Sequence, residues 1–249
     1  MIFLGIVITK GIVINQANSK ETDKILTILT PDLGKISVIV KGAKKSSSKV
    51  AMSELFVFLD LVLYKNSGDI YVLNSAEIIE MFYNLRIDVE KIYYLTYISR
   101  LVSDVATENE NSFELMQLLL NTIYLFSEGK KDNMFIATVF QIRLLRVLGF
   151  NPIIKNCAVC GNEEVVSFSI RDNGLICLAC SKQDTGSISL SQSTINALKY
   201  ILISDAKKVF SFSISDNVLA ELRLFIKIYL HEKLEKEYDI DKYLKNYLI

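Results

Sequence analysis

Through about residue 80 the chain carries short apolar runs rich in β-branched and aromatic residues, set between turn signals, with no sustained 3.6-residue period. This pattern predicts strands at Gly5 to Asn15, Asp23 to Thr30, Lys35 to Lys41, Leu55 to Tyr64 and Tyr71 to Ala76. Pro31-Asp32-Leu33-Gly34 supplies turn chemistry between the second and third, and Asn66-Ser67-Gly68-Asp69 between the fourth and fifth. Five strands in about 80 residues predict a small barrel, either a five-stranded Greek-key barrel of the OB type or an SH3-like one. Composition does not separate the two.

After residue 84 the period changes to that of helices. Leu85, Val89, Ile92 and the stretch Thr96 to Val105 form one apolar stripe, and Phe113, Met116, Leu119, Leu120 and Ile123 form a second. A third helix carries Met134, Ala137, Phe140, Leu144, Leu145 and Leu148 on one side and stops at Gly149, with Pro152 just beyond. Downstream, Ser191 to Ile203 reads as helical. A long amphipathic helix follows through Val218, Leu222, Phe225, Ile226, Tyr229 and Leu234, with Ser215 or Asp216 as its N-cap. These stripes are read as core. The expected organisation is α+β and multidomain: a barrel over residues 1–80, then a helical domain over 81–249 with a small insert at about 151–186.

Composition narrows the class. Hydrophobic residues make up 51% and charged residues 22% of 249, enough apolar side chain for a packed core. The 28 basic and 28 acidic side chains cancel, so any surface for a polyanion must be local. No run approaches the roughly 18 apolar residues of a membrane helix: Asp60 breaks Leu55 to Tyr64, and Lys10 follows Met1 to Thr9. The first residues lack a basic region and a small-residue cleavage pattern, so no secretory signal is read and a cytoplasmic setting is expected, without membrane partners.

The insert carries the sharpest motif. Cys157-Ala158-Val159-Cys160 is followed by sixteen residues and then by Cys177-Leu178-Ala179-Cys180, the spacing of a paired-knuckle zinc site. Two tight turns give four soft thiolates in a tetrahedron and leave no open position for a substrate, so one structural Zn2+ per chain is expected. Gly161 can take the positive φ that closes the first knuckle, whereas Ser181 occupies the matching place in the second. Val165 to Ile170 reads as a strand within the module. Two unrelated redox or buried thiol pairs are the alternative, disfavoured in a reducing compartment.

Between Lys35 and Lys49 lie five lysines, Lys35, Lys41, Lys44, Lys45 and Lys49, without an acidic residue, joined by Gly42 and Ser46-Ser47-Ser48. On a flexible loop beside a barrel they suit phosphate contacts, with bases stacking on aromatic rings such as Phe58, Tyr64 or Tyr71. An ordinary solvated loop explains the same composition. Enzyme signatures are missing: Gly34-Lys35 lacks the rest of a nucleotide-binding P-loop. The only histidine, His231, has no nucleophile at a suggestive spacing and is expected at the surface. No residue is assigned as catalytic.

Together, Gly11-Ile12-Val13-Ile14, the segment Glu21-Thr22-Asp23-Lys24-Ile25-Leu26-Thr27-Ile28-Leu29-Thr30, Leu33-Gly34-Lys35-Ile36-Ser37 and Val40-Lys41-Gly42-Ala43-Lys44-Lys45 resemble the start of RecO recombination mediators. Arg143-Leu144-Leu145 and Leu148-Gly149-Phe150-Asn151-Pro152, leading into Cys157, extend the likeness more loosely over most of the chain. The resemblance implies an OB-fold joined to a helical domain with a zinc module, acting in bacterial recombinational repair through the RecF pathway in the cytoplasm, at the nucleoid. It implies binding of single- and double-stranded DNA, annealing of complementary strands, contact with RecR and with the C-terminal tail of single-strand-binding protein, and through them the loading of RecA, without bond chemistry. The family's basic motif falls on Lys35, Lys41, Lys44 and Lys45; zinc is argued from the four cysteines themselves. Two other classes stand beside this reading. A zinc-dependent enzyme would need an open coordination position, and a protein adaptor would not touch nucleic acid.

Overall fold

The structure, a computed structural model, describes residues 5–65, 68–206 and 208–245. It forms two compact units. One runs to Lys130 and takes in the chain again from Tyr243; the other is Lys131–Lys242.

The first unit is built on a closed five-stranded barrel of β1 (Gly5–Asn18), β2 (Lys24–Thr30), β3 (Gly34–Val40), β4 (Phe58–Lys65) and β5 (Ile70–Glu80), in the order β1-β2-β3-β5-β4. The β3–β5 pair is parallel, while β4 pairs antiparallel with both β5 and β1. This is OB-type topology, which settles the choice that composition left open. All five predicted strands form. Asn66 and Ser67 of the second predicted turn lie outside the described residues.

Alternation places the core. Along β3, Gly34, Ile36, Val38 and Val40 point inward and the residues between them outward. Leu26, Ile28, Leu59, Leu61 and Leu63 meet them from β2 and β4. Each such buried leucine is worth about 2–5 kcal/mol against alanine. Tyr71, read above as a possible stacking surface for bases, is 4% exposed and belongs to this core. The reason is register: parallel pairing sets Tyr71 beside inward-facing Val38, leaving Ile70 beside Ser37 on the outside. Phe58 and Tyr64 are half-buried.

Between β3 and β4, the segment expected as a loop instead contains a short helix, α1 (Ser47–Met52). Its serines gave no apolar period to read, yet Ser53 closes it by donating its hydroxyl to the Lys49 carbonyl at 2.7 Å. After a 3-10 turn at Tyr83–Leu85, α2 (Val89–Val105) packs on β1, and α3 (Phe113–Glu128) on β2. Both helices therefore share a compact unit with the barrel, although they follow it in sequence. The link after α2 docks on the β2–β3 turn. Lys35 N–H donates to the Thr107 carbonyl at 2.9 Å and Asn109 N–H to the Leu33 carbonyl at 2.9 Å.

The second unit is helical, with α4 (Asn133–Val147), α6 (Gln192–Ile203) and α7 (Asp216–Leu234) packed together. Ser191 and Ser215 act as N-caps of α6 and α7, each accepting from the backbone N–H three residues on. Arg143 of α4 is buried, and its guanidinium donates to the Ile201 and Ser204 carbonyls at 3.1 and 2.8 Å. A cation thereby satisfies the carbonyls that α6 leaves open at its C-terminal end. Between α4 and α6 lie a three-stranded sheet, β6 (Ser167–Ser169), β7 (Gly174–Ile176) and β8 (Ile188–Ser189), and the one-turn α5 (Leu178–Ser181). Phe168 joins this insert to α7, its ring centroid 4.8 Å from Phe225 and 5.1 Å from Tyr229. The Tyr229 hydroxyl donates to Asn173 Oδ1 at 2.7 Å, and burial pushes its pKa up to about 12.

Gly34 tests the docking of the α2–α3 link. Its φ is +67°, and a Cβ there would stand 2.1 Å from the Thr107 carbonyl oxygen. Gly34→Ala is expected to destabilise the protein by about 2–4 kcal/mol, from left-handed strain plus a backbone clash. A thermal melt matching the parent would show that the link is not held against the turn.

Candidate metal centre and nucleic-acid face

The insert brings Cys157, Cys160, Cys177 and Cys180 together, with all four Sγ atoms within 4.8 Å of one another. Two backbone turns make the cluster. Gly161 N–H donates to the Cys157 carbonyl and Ser181 N–H to the Cys177 carbonyl, both at 2.9 Å. Gly161 takes φ +78°, as expected of the first knuckle. Ser181 does not show the matching left-handed backbone: it continues a helical turn as the last residue of α5, which avoids the strain a side chain would bring there.

Cys160 and Cys177 Sγ stand 3.6 Å apart. A tetrahedron with metal–sulfur bonds of about 2.3 Å has sulfur–sulfur edges of about 3.8 Å, so the separation suits such an ion. Cys157 and Cys177 are buried while Cys160 is exposed. Burial raises the Cys157 thiol, but the Cys160, Cys177 and Val159 amides turned toward it outweigh this and bring its pKa down to about 6. The Cys180 amide, against burial, lowers Cys177. Burial and the facing sulfurs of Cys160, Cys177 and Cys157 push Cys180 up to about 12. Cys160 is also raised: the Asn162 amide lowers it, but the Cys157 and Cys177 sulfurs outweigh that. The amides thus favour the thiolate forms of Cys157 and Cys177, and a dication would compensate the charge of the set. The donor set fits zinc.

The five lysines do not form one surface. Lys35, at the start of β3, is half-buried, and its ammonium donates to the Ser103 carbonyl at 2.6 Å, in the last turn of α2. Six residues of strand carry the chain about 20 Å from there to Lys41. Lys41, Lys44 and Lys45 are exposed on the turn that follows β3. Ala43, between them, is fully buried in the barrel core, so its neighbours are turned to solvent. Lys49, on α1, is exposed and donates to the Lys41 carbonyl at 2.8 Å.

Two contacts outside this turn set its position. Asp23 Oδ1 accepts from Gly42 N–H at 2.8 Å, and the Thr22 carbonyl accepts from Lys44 N–H at 3.1 Å. Gly42 holds φ +64°. The Gly42 amide, ahead of smaller contributions from Thr22, Lys20 and Lys41, keeps the Asp23 carboxyl below the usual carboxylate range. Nothing in the local sequence marks Asp23 for this role; its signal is the strand pairing that sets Lys24 opposite Val40. His231 is exposed on α7, as expected. Among the described residues no helix is long and apolar enough to cross a membrane.

Comparison with known proteins places this geometry. Residues 3–82 match the family model described as Recombination protein O N terminal, and residues 86–239 match Recombination protein O C terminal. The chain is 38% identical over 233 residues to the DNA repair protein RecO of Acetivibrio thermocellus, covering 92% of each chain. It is 32% identical to that of Alkaliphilus metalliredigens, over 92% of this chain and 89% of the relative, and 31% identical to that of Caldicellulosiruptor bescii, over 93% and 95%. The barrel, the helical unit with its four-cysteine insert and these matches along nearly the whole length establish that the chain belongs to the RecO family of DNA repair proteins.

Proposed function

We propose that the protein is a non-enzymatic DNA-binding recombination mediator of the RecF pathway, acting in the cytoplasm at the nucleoid. It binds single- and double-stranded DNA, anneals complementary strands, and with RecR helps load RecA onto strands coated by single-strand-binding protein. The observation that carries this reading is the exposed Lys41, Lys44 and Lys45 turn on the edge of an OB-type barrel in a chain of zero net charge. Clustered ammonium groups contact phosphates without reading sequence, which suits a factor that must act on any strand. Lys49 flanks the cluster, while Lys35 contributes at most from a distance, its ammonium engaged by Ser103.

The four cysteines hold a structural Zn2+, one per chain. Four thiolates fill a tetrahedral shell, so the ion fixes the two knuckles and offers no position to a substrate, which favours the mediator over a zinc-dependent enzyme. Through Phe168 and Asn173 the ordered insert braces α7.

Single-stranded DNA affinity is expected to fall with salt, with a log–log slope near −0.7 for each phosphate neutralised, about −2 for three lysines. The double substitution Lys44→Ala and Lys45→Ala should make the slope shallower by about 1.4. A parent protein that ignores single strands in dilute buffer would favour an adaptor instead. A slope unchanged in the variant would remove this turn from the interface.

For the metal, cobalt substitution should give the thiolate-to-metal absorption of a tetrahedral four-sulfur site, and Cys177→Ser should lose the ion and melt at a lower temperature, since metal binding there is folding energy. Unaltered metal content and melting temperature in Cys177→Ser would contradict the assignment.

A further inference from the structure

The basic turn after β3 is one half of a larger construction. Facing it is the β1–β2 turn, Ser19-Lys20-Glu21-Thr22-Asp23, closed on itself by Ser19 N–H donating to the Asp23 carbonyl at 3.0 Å. Two bonds join the turns, Asp23 Oδ1 accepting from Gly42 N–H and the Thr22 carbonyl from Lys44 N–H, and the β2–β3 pairing of Lys24 with Val40 begins just beyond. Lys20 is exposed on the first turn, and Lys41, Lys44 and Lys45 on the second. Two loops that are separate in sequence thus form one welded edge of the barrel.

We propose that Asp23 is a positioning residue for nucleic-acid binding, fixing the Lys41–Lys45 turn through Gly42 so that Lys20, Lys41, Lys44 and Lys45 present one preset row of cations to a phosphate backbone. The inference rests on the proposed DNA-binding role and adds Lys20 and Asp23 to it. A carboxylate among lysines weakens attraction for a polyanion, so by charge alone removing it strengthens binding. Its geometric task is the reverse. Gly42 sits in the left-handed region, a conformation glycine adopts without cost and leaves as readily, so the turn's shape has to be held from outside. Asp23 is a half-buried acceptor aimed at that residue's N–H. Without it the lysines must be ordered during binding, a cost the free protein otherwise bears in advance. Glu21, exposed on the same turn, accepts none of the hydrogen bonds that join the two turns and serves as the control carboxylate.

The test compares the full-length, metal-loaded parent with Asp23→Ala, Asp23→Asn, Glu21→Ala and Lys20→Ala, titrating a fluorescent oligothymidylate across salt concentrations with a melting curve for each. Asp23→Ala should bind about threefold or more weakly in dilute salt despite its extra positive charge, with a slope shallower by about 0.7 or more. Asp23→Asn keeps an acceptor for Gly42 and should bind as well as the parent or better, as should Glu21→Ala. Lys20→Ala should lose about 0.7 of slope. If Asp23→Ala binds as tightly as Glu21→Ala, or if Asp23→Asn is as impaired as the alanine, the positioning role is overturned while the parent's own titration still decides the DNA-binding reading. Should Asp23→Ala fail to fold, Asp23→Asn and Lys20→Ala carry the test: an unchanged slope in Lys20→Ala, or parent-level folding with lost binding in Asp23→Asn, would overturn it.

Discussion

The position of the basic edge follows from where the inward alternation of β3 runs out. Ile36, Val38 and Val40 bury every second side chain in the barrel, and past the end of the strand Ala43 anchors the turn in the same core before the chain enters α1. With Ala43 inside, the lysines on either side have only solvent to occupy. A slip of one residue in the β2–β3 pairing would turn Ile36, Val38 and Val40 outward and bury Lys35 and Ser37 in their place. The register of β3 sets where the turn begins, and Ala43 together with the bonds from Asp23 and Thr22 sets how it lies.

This matters because the molecule has no charge to spare. With 28 basic and 28 acidic side chains, attraction for a polyanion has to come from local placement rather than from a global field. Three other basic groups of the first unit are engaged: Lys24 lies against Gln16 and Glu54, Arg86 against Glu54, and Lys35 against the end of α2. In the second unit a different interaction governs. Four sulfurs held by two backbone turns order an insert with only eight residues in strands, too little to bury a core of its own, and Phe168 anchors it to α7.

Much of this was legible in the sequence, for reasons that differ between sites. The four cysteines could be read because ligand spacing is a local property, and the five strands because alternation is too. The OB choice could not be made from pattern alone, since it depends on β3 pairing in parallel with β5, a contact that no local period records. Tyr71 looked like any strand aromatic until that pairing set it beside Val38. The lysines were found by composition, but composition could not tell Lys35, tied to Ser103, from Lys44, free on its turn; only tertiary contacts separate them. Asp23 stood in the sequence as an ordinary strand-initiating acid, its partner nineteen residues away.

The most direct test of the account is a hydrogen-exchange footprint of the intact, metal-loaded protein with and without single-stranded DNA in dilute salt. Added protection is expected at the backbone amides of residues 19–24 and 41–49, with the Cys157–Cys180 insert unchanged. Protection confined to the insert or to the helices of the second unit, with both barrel turns exchanging as in the free protein, would contradict it.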